Sequence, residues 1–286
     1  LPEIDEISML KKAVFELQAI TDLPLQIDTA DTKAMEQALR LYNGKAMINS
    51  VSGKESSMSQ IFPLVKKYGG AVVALTLDDD GIPKTAEGRV AIAEKILKRA
   101  AEYGIDKKDI IFDTLAMTVS AEPGAAIETL RALDIIKNRL GCHTSLGVSN
   151  VSFGLPERAA INSTFFACAL ERGLSTAIMN PYSTDMMKAY HSFKALHNMD
   201  ENCGEYIAFT ESLPAQSAQR PSASPATHSA SPKDDGSLTP LQRAISKGLK
   251  DKAGEMTEKL LAENTDPLFI IQSEIIPALD LSLIHI

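Results

Sequence analysis

Two hydrophobic patterns alternate along residues 1–205. Short, nearly continuous apolar runs occupy residues 23–28 (LPLQID), 45–50 (KAMINS), 71–78 (AVVALTLD), 109–113 (DIIFD), 144–150 (TSLGVSN) and 176–180 (TAIMN). Runs of that length without alternation predict strands buried on both faces, as in a parallel sheet wrapped by helices. The segments between them have helical period. Residues 85–103 bring Val90, Ala93, Ile96 and Leu97 to one face, gather Lys and Arg toward the end, and stop at Gly104. Residues 123–140 and 156–172 read similarly, and 31–41 opens with Asp31 as an N-cap.

Each apolar run closes on a polar residue, at 28, 49, 78, 113, 150 and 180. That spacing suits βα units of about 30 residues. Six such units fit a doubly wound sheet or part of an eight-fold barrel. A doubly wound sheet often has a Gly-rich phosphate turn after its first strand; none is present. Polar strand ends at one face are where a barrel keeps its chemistry. The expected fold is therefore α/β, a TIM-type (β/α)8 barrel lacking its first two strands, over residues 1–205.

Residues 206–238, rich in Ser, Ala and Pro, predict a flexible linker. Residues 239–280 return to helical period. Leu241, Ile245 and Leu249 are expected on one face, and Met256, Leu260 and Leu261 on another, as a partial helical domain. The final LSLIHI (281–286) resembles a translated sequencing-library adapter and is set aside as an artefact.

A net charge of −8 without a basic block argues against nucleic acid as a partner. Three scattered cysteines, Cys142, Cys168 and Cys203, exclude a disulfide framework and suit a reducing compartment. With no apolar run of membrane length and no secretory signal, no membrane partner is expected, and a cytoplasmic location is.

The strand-end set is Asp28, Asn49 with Ser50, Asp78, Asp113, Ser149 with Asn150, and Asn180. Carboxylates accept from amino and ring N–H groups, and amides both donate and accept, so the set suits a polar heterocycle. It lacks the cations a phosphate wants, the nucleophile–base pair of a hydrolase, and a tight acidic cluster for a metal. The competing reading is that several of these residues cap the helices that follow them.

Residues 146–154 (LGVSNVSFG) with 155–174, and in order 23–31 (LPLQIDTAD), 45–55 (KAMINSVSGKE), 68–89 (YGGAVVALTLDDDGIPKTAEGR) and 107–115 (KKDIIFDTL), resemble the pterin-binding methyltransferase barrel of cobalamin-dependent methionine synthases. Residues 241–280 resemble the helical cap that opens their cobalamin-binding module, whose Asp-x-His-x-x-Gly signature is absent from this sequence.

The resemblance implies a methyltransferase that moves the methyl of 5-methyltetrahydrofolate to cob(I)alamin during methionine synthesis from homocysteine. It implies a cobalamin-binding domain in cis and a homocysteine-binding domain in cis or trans. Asp28, Asn49, Asp113 and Asn150 would bind the pterin, with Asn150 and Asp113 catalytic. Ser50, Asp78, Ser149 and Asn180 would support them. Three other readings remain: a stand-alone methyltetrahydrofolate:corrinoid protein methyltransferase, a dihydropteroate synthase-like enzyme, and a folate-binding fragment without activity.

Overall fold

The computed structural model describes residues 5–213, 238–246, 250–263 and 265–279. Most of the expected linker (214–237), Leu249 and the tail 281–286 lie outside them. The chain divides into two compact units. The first comprises residues 1–117, 124–150 and 168–179, and the second residues 118–123, 151–167 and 180–286.

The first unit is a succession of βα steps: α1 (Glu6–Ile20), β1 (Gln26–Asp28), α2 (Thr32–Leu41), β2 (Met47–Ser52), α3 (Glu55–Tyr68), β3 (Ala71–Leu75), α4 (Ala86–Glu102), β4 (Ile110–Asp113), α5 (Ala125–Asp134), β5 (His143–Gly147) and β6 (Thr176–Ile178). All six strands are parallel and lie side by side in sequence order. A doubly wound sheet reverses its strand order at a switch point. This one never reverses, so the fold is the TIM-type progression.

The central strands β3 and β4 are buried on both faces, as the apolar runs require, whereas the edge strands β1 and β6 are partly exposed, Ile178 at 43%. Ile27, Ile48, Val72, Ala74, Ile110 and Phe112 point toward the helices and join one core with Met35, Phe62, Ile96 and Ile136. Side chains alternate along a strand, so Val73 and Ile111, also buried, face the opposite side. Asp28, Asn49 and Asp113 share that side. Asp28, Asn49, Val73 and Ile111 form one row across four strands, and Asp113 stands level with Ser145 one step nearer the C-terminal edge.

Helix boundaries follow local chemistry. The Asp31 carboxylate accepts from the Lys33 N–H at 2.8 Å and the Ala34 N–H, starting α2. Thr85 starts α4 by accepting from the Gly88 N–H at 3.2 Å. Gly104, at φ 68°, takes the left-handed conformation past its end.

In the second unit, Thr118 donates to Phe153 O at 2.8 Å, tying residues 118–123 to the 151–167 segment. Helix α6 (Arg158–Glu171) runs from this unit into the first. Helices α7 (Thr184–Leu196) and α8 (Gly204–Ser212) pack together, and the His191 ring stacks on Phe209 at 4.4 Å between centroids. Helix α8 reaches Ser212, so the first residues of the span expected as a linker, 206–212, are helical. Asp200 caps α8 by accepting from the Glu205 and Tyr206 N–H groups, each at 2.9 Å. Helices α9 (Pro240–Ser246), α10 (Lys250–Ala262) and α11 (Pro267–Ile270) follow. Leu241, Ala244, Ile270 and Ala278 are buried there, whereas Leu261, expected on the apolar face, is exposed. No helix among the described residues is long and apolar enough to cross a membrane.

The capping assignments are separable by stability. Asp31→Ala is expected to lower the unfolding free energy by about 1 kcal/mol. Asp28→Ala should stay within about 0.5 kcal/mol of the parent. Urea denaturation of the three proteins measures both, and an equal loss at Asp28 would make it a structural cap.

Candidate active site

A cleft of about 330 Å³ opens at the C-terminal ends of β1 and β2. Asp28, Asn49 and Ser50 line it with Thr29, Thr32, Ser56, Ser57 and Gln60. Asp28 ends β1 and is the register partner of Asn49. The register between β2 and β3 shifts between Asn49 and Val51, where the Asn49–Ser50 peptide is cis. Such a bulge re-aims side chains at a sheet's end. The start of α3 has no side-chain cap, so its first-turn N–H groups are further donors beside this wall. The lining residues include no Lys, Arg or His. The cleft therefore offers carboxylate, amide and hydroxyl groups, and no countercharge for a phosphate.

The structure separates uncommitted side chains from turn-forming ones. Among the described residues, Asp28, Asn49, Ser50 and Asn150 make no side-chain hydrogen bond. Asp78 behaves differently. It accepts from the Asp80 N–H at 3.1 Å and closes a turn through paired backbone bonds with Gly81. Asn180, in the second unit, accepts from the Tyr182 N–H at 2.9 Å, shaping the turn before α7. Neither caps a helix, since Thr85 caps α4 and Ser183 precedes α7; both are committed to local turns instead. At β1 the capping is done by Asp31, and Asp28 is left uncommitted. Ser149 lies half-buried in the 3-10 turn Val148–Ser152.

Asp113 is the second focus. It ends β4 and is buried, with 8% exposure. Burial pushes its carboxyl up to about 6, opposed by the Leu115 N–H, the Arg89 charge and the Gly147 N–H. The Leu115 bond measures 2.7 Å. Gly147 serves two neighbours. Besides its N–H on Asp113, a Cβ built on it would lie 2.9 Å from Asn150 Nδ2. Only glycine leaves the Asn150 amide its place, so Gly147 brings Asn150 and Asp113 around one backbone position. Neither Asp113 nor Asn150 lines the β1–β2 cleft.

Sequence reasoning missed the cleft's hydroxyl wall, Gly147 and Arg89. The wall had a signal in the polar run 54–60 directly after β2. Arg89 had one too, lying in helical register with the buried Ala93, Ile96 and Ala100. Among the described residues no three His, Cys, Asp or Glu converge as metal ligands.

A TIM-type sheet with an uncharged-donor cleft and a buried carboxyl at its strand ends defines a barrel protein suited to a polar heterocyclic ligand. The chain belongs to the pterin binding enzyme family, whose sequence profile matches residues 1–180. It is 31% identical over 208 residues to the methylcorrinoid:tetrahydrofolate methyltransferase of Eubacterium limosum, covering 72% of this chain and 76% of that protein. It is 34% identical over 189 residues to the methionine synthase of Mycobacterium tuberculosis, covering 62% of this chain but only 16% of that much longer protein. Dihydropteroate synthase from Xanthomonas albilineans, solved in complex with 7,8-dihydropteroate, superposes with a TM-score of 0.54 at 20% identity. That match covers 67% of this chain and 73% of the other, a likeness of fold.

Because Asp113 is harder to ionise when folded, the folded state holds its proton more tightly than the unfolded chain. The sign follows: stability is lost as pH rises from about 4 to about 6, by on the order of 2–3 kcal/mol at most. Asp113→Asn removes that loss. Relative to the parent it should gain stability between pH 4.5 and pH 7.5, as read from urea midpoints at the two values. An unchanged difference would place the carboxyl in the ordinary range.

Proposed function

We propose that this protein transfers a methyl group between N5 of tetrahydrofolate and a corrinoid carrier. The observation that carries the reading is the β1–β2 cleft. Its Asp28 and Asn49 side chains are uncommitted and side by side, and its walls hold hydroxyls and no cation. A pterin presents amino and ring N–H groups beside carbonyl and ring-nitrogen acceptors. Carboxylate and amide groups answer both kinds, and the cleft volume lies in the range of small-molecule sites, about 300–1,000 Å³. Membership of the pterin binding enzyme family and the names of the two methyltransferase relatives agree with it.

In this reading Asp28 and Asn49 bind the pterin edge, and Asn150 reaches N5 with Asp113 behind it. Ser50 and Ser149 support them, whereas Asp78 and Asn180 shape turns. The methyl donor is a tertiary amine, a poor leaving group until N5 gains a proton or a strong hydrogen bond. Asn150 can donate to N5 as the C–N bond breaks and the nitrogen keeps the electron pair. A carboxyl with pKa about 6 holds a proton in part of the molecules at neutral pH and can share it through the Asn150 region. The corrinoid is the co-substrate in this reading, and its cobalt(I) supplies the nucleophile that takes the methyl.

We further propose that the reaction serves methionine synthesis from homocysteine. Support comes from the Mycobacterium tuberculosis relative and from the resemblance of residues 241–280 to a cobalamin-module cap. In that case the corrinoid domain is tethered in cis, and the linker expected from the composition of residues 206–238 raises its effective concentration. A second reading is a stand-alone enzyme serving a separate corrinoid protein. The match over 76% of the Eubacterium limosum protein favours it. A dihydropteroate synthase-type reaction fits less well, because the cleft has no cation for a pyrophosphate leaving group.

Calorimetric titration of the folded chain with 5-methyltetrahydrofolate should show saturable one-to-one binding that Asp28→Ala weakens at least tenfold. No binding by a folded chain would overturn the pterin assignment. Asn150→Ala should slow methyl transfer to free cob(I)alamin by about 10²-fold or more while changing folate affinity less than about fivefold. Equal losses in rate and affinity would give Asn150 a binding role only.

A further inference from the structure

Arg89 is among the largest wholly buried side chains, with 1% exposure. A guanidinium stays charged in proteins, and a buried charge is tolerated only when its donors are met. Here the backbone meets them. Arg89 Nε donates to Pro83 O at 2.9 Å, and Nη1 donates to Thr114 O at 2.8 Å, Leu115 O at 3.1 Å and Thr129 Oγ1 at 2.7 Å. Thr114 and Leu115 are the two residues that follow Asp113.

Leu115 has φ 61°, the left-handed region that a branched side chain enters at about 1–2 kcal/mol. In that conformation its N–H donates to the Asp113 carboxylate at 2.7 Å. Helix α5 reinforces the turn. The Thr129 hydroxyl lies 3.0 Å from Leu115 O, and Thr114 Oγ1 donates to Thr129 O at 3.2 Å.

We propose that Arg89 is a positioning residue, which clamps the Thr114–Leu115 backbone in the one shape that binds the Asp113 carboxylate. Its fork converts the charge on α4 into a fixed N–H on the carboxylate at the end of β4. Arg89 is also the charged side chain that acts on Asp113. The other groups facing it are the Leu115 and Gly147 N–H dipoles. The part this plays in catalysis rests on the methyl-transfer reading; the clamp itself does not.

The test reads Asp113 directly, by ¹³C-carboxylate NMR titration of the full chain without folate. Arg89→Met should raise the Asp113 midpoint by about one pH unit or more, and Arg89→Lys, which keeps the charge but not the fork, by less. Amide exchange should speed up at Leu115 by at least about tenfold in Arg89→Met, against little change at Phe112. Loosening of the whole fold would speed both. An unmoved midpoint, or exchange rising equally at both positions, overturns the clamp. If Arg89→Met does not fold, Thr129→Val loosens the same turn while leaving Arg89 Nη1 its Thr114 O and Leu115 O acceptors. It should raise the midpoint and speed Leu115 exchange, and failure to do either overturns the clamp as well. The pH dependence of methyl transfer separates the two readings. A rate limb that stays put while the midpoint moves removes Asp113 from the reaction and leaves the clamp standing.

Discussion

A parallel sheet whose central strands are covered on both faces keeps a polar side chain inside only when a partner meets it, as Gly173 O meets Thr144, and leaves uncommitted ones to the strand ends. The Ile48, Val72, Ala74, Ile110 and Phe112 face is sealed by helices, and Val73 and Ile111 are buried on the other. Within that ladder an unpartnered polar group would cost several kcal/mol. At the C-terminal edge Asp28, Asn49 and Asp113 lie on the side turned away from the helices, where the proposed chemistry is placed. The sequential strand order keeps these ends in one continuous row.

Two physical regimes meet along that row. At β1 and β2 the side chains are solvated, uncommitted and surrounded by hydroxyls, an arrangement suited to recognition. At β4 and β5 the carboxyl is buried, held by backbone N–H groups and backed by a buried guanidinium, an arrangement suited to managing a proton. In the proposed reaction the first binds the heterocycle and the second stabilises the nitrogen that loses its methyl. Gly147 joins them to the loop after β5, because its missing side chain leaves space for the Asn150 amide.

Much of this was legible from the chain. The Asp31 cap and the Gly104 stop depend on interactions within a few residues, and they appear where periodicity and capping chemistry put them. The strand runs were also legible, though three end earlier than the apolar pattern suggests. β3 stops at Leu75, β5 at Gly147 and β6 at Ile178. Asp78, Asn150 and Asn180 therefore sit in the loops beyond. An apolar pattern reports burial and continues into a buried loop, whereas a strand needs a neighbour's backbone to pair with. Arg89 illustrates the opposite failure. Its helical register placed it on the core face, but a charge there makes sense only once the carbonyls of Thr114 and Leu115 are seen around it.

The sequence by itself determined the order of elements, the layered α/β class and the polar residues available at the strand ends, because these follow from periodicity and short-range capping. Tertiary structure decided which of those residues remain open to a ligand. Asp28 and Asn49 are side by side because two strands 21 residues apart pair in one register. Asp78 and Asn180 are spent on their own turns. Asp113 is shifted toward neutral pH because neighbouring strands and loops remove it from water. Burial and long-range proximity depend on where distant segments meet, and no local pattern carries that information.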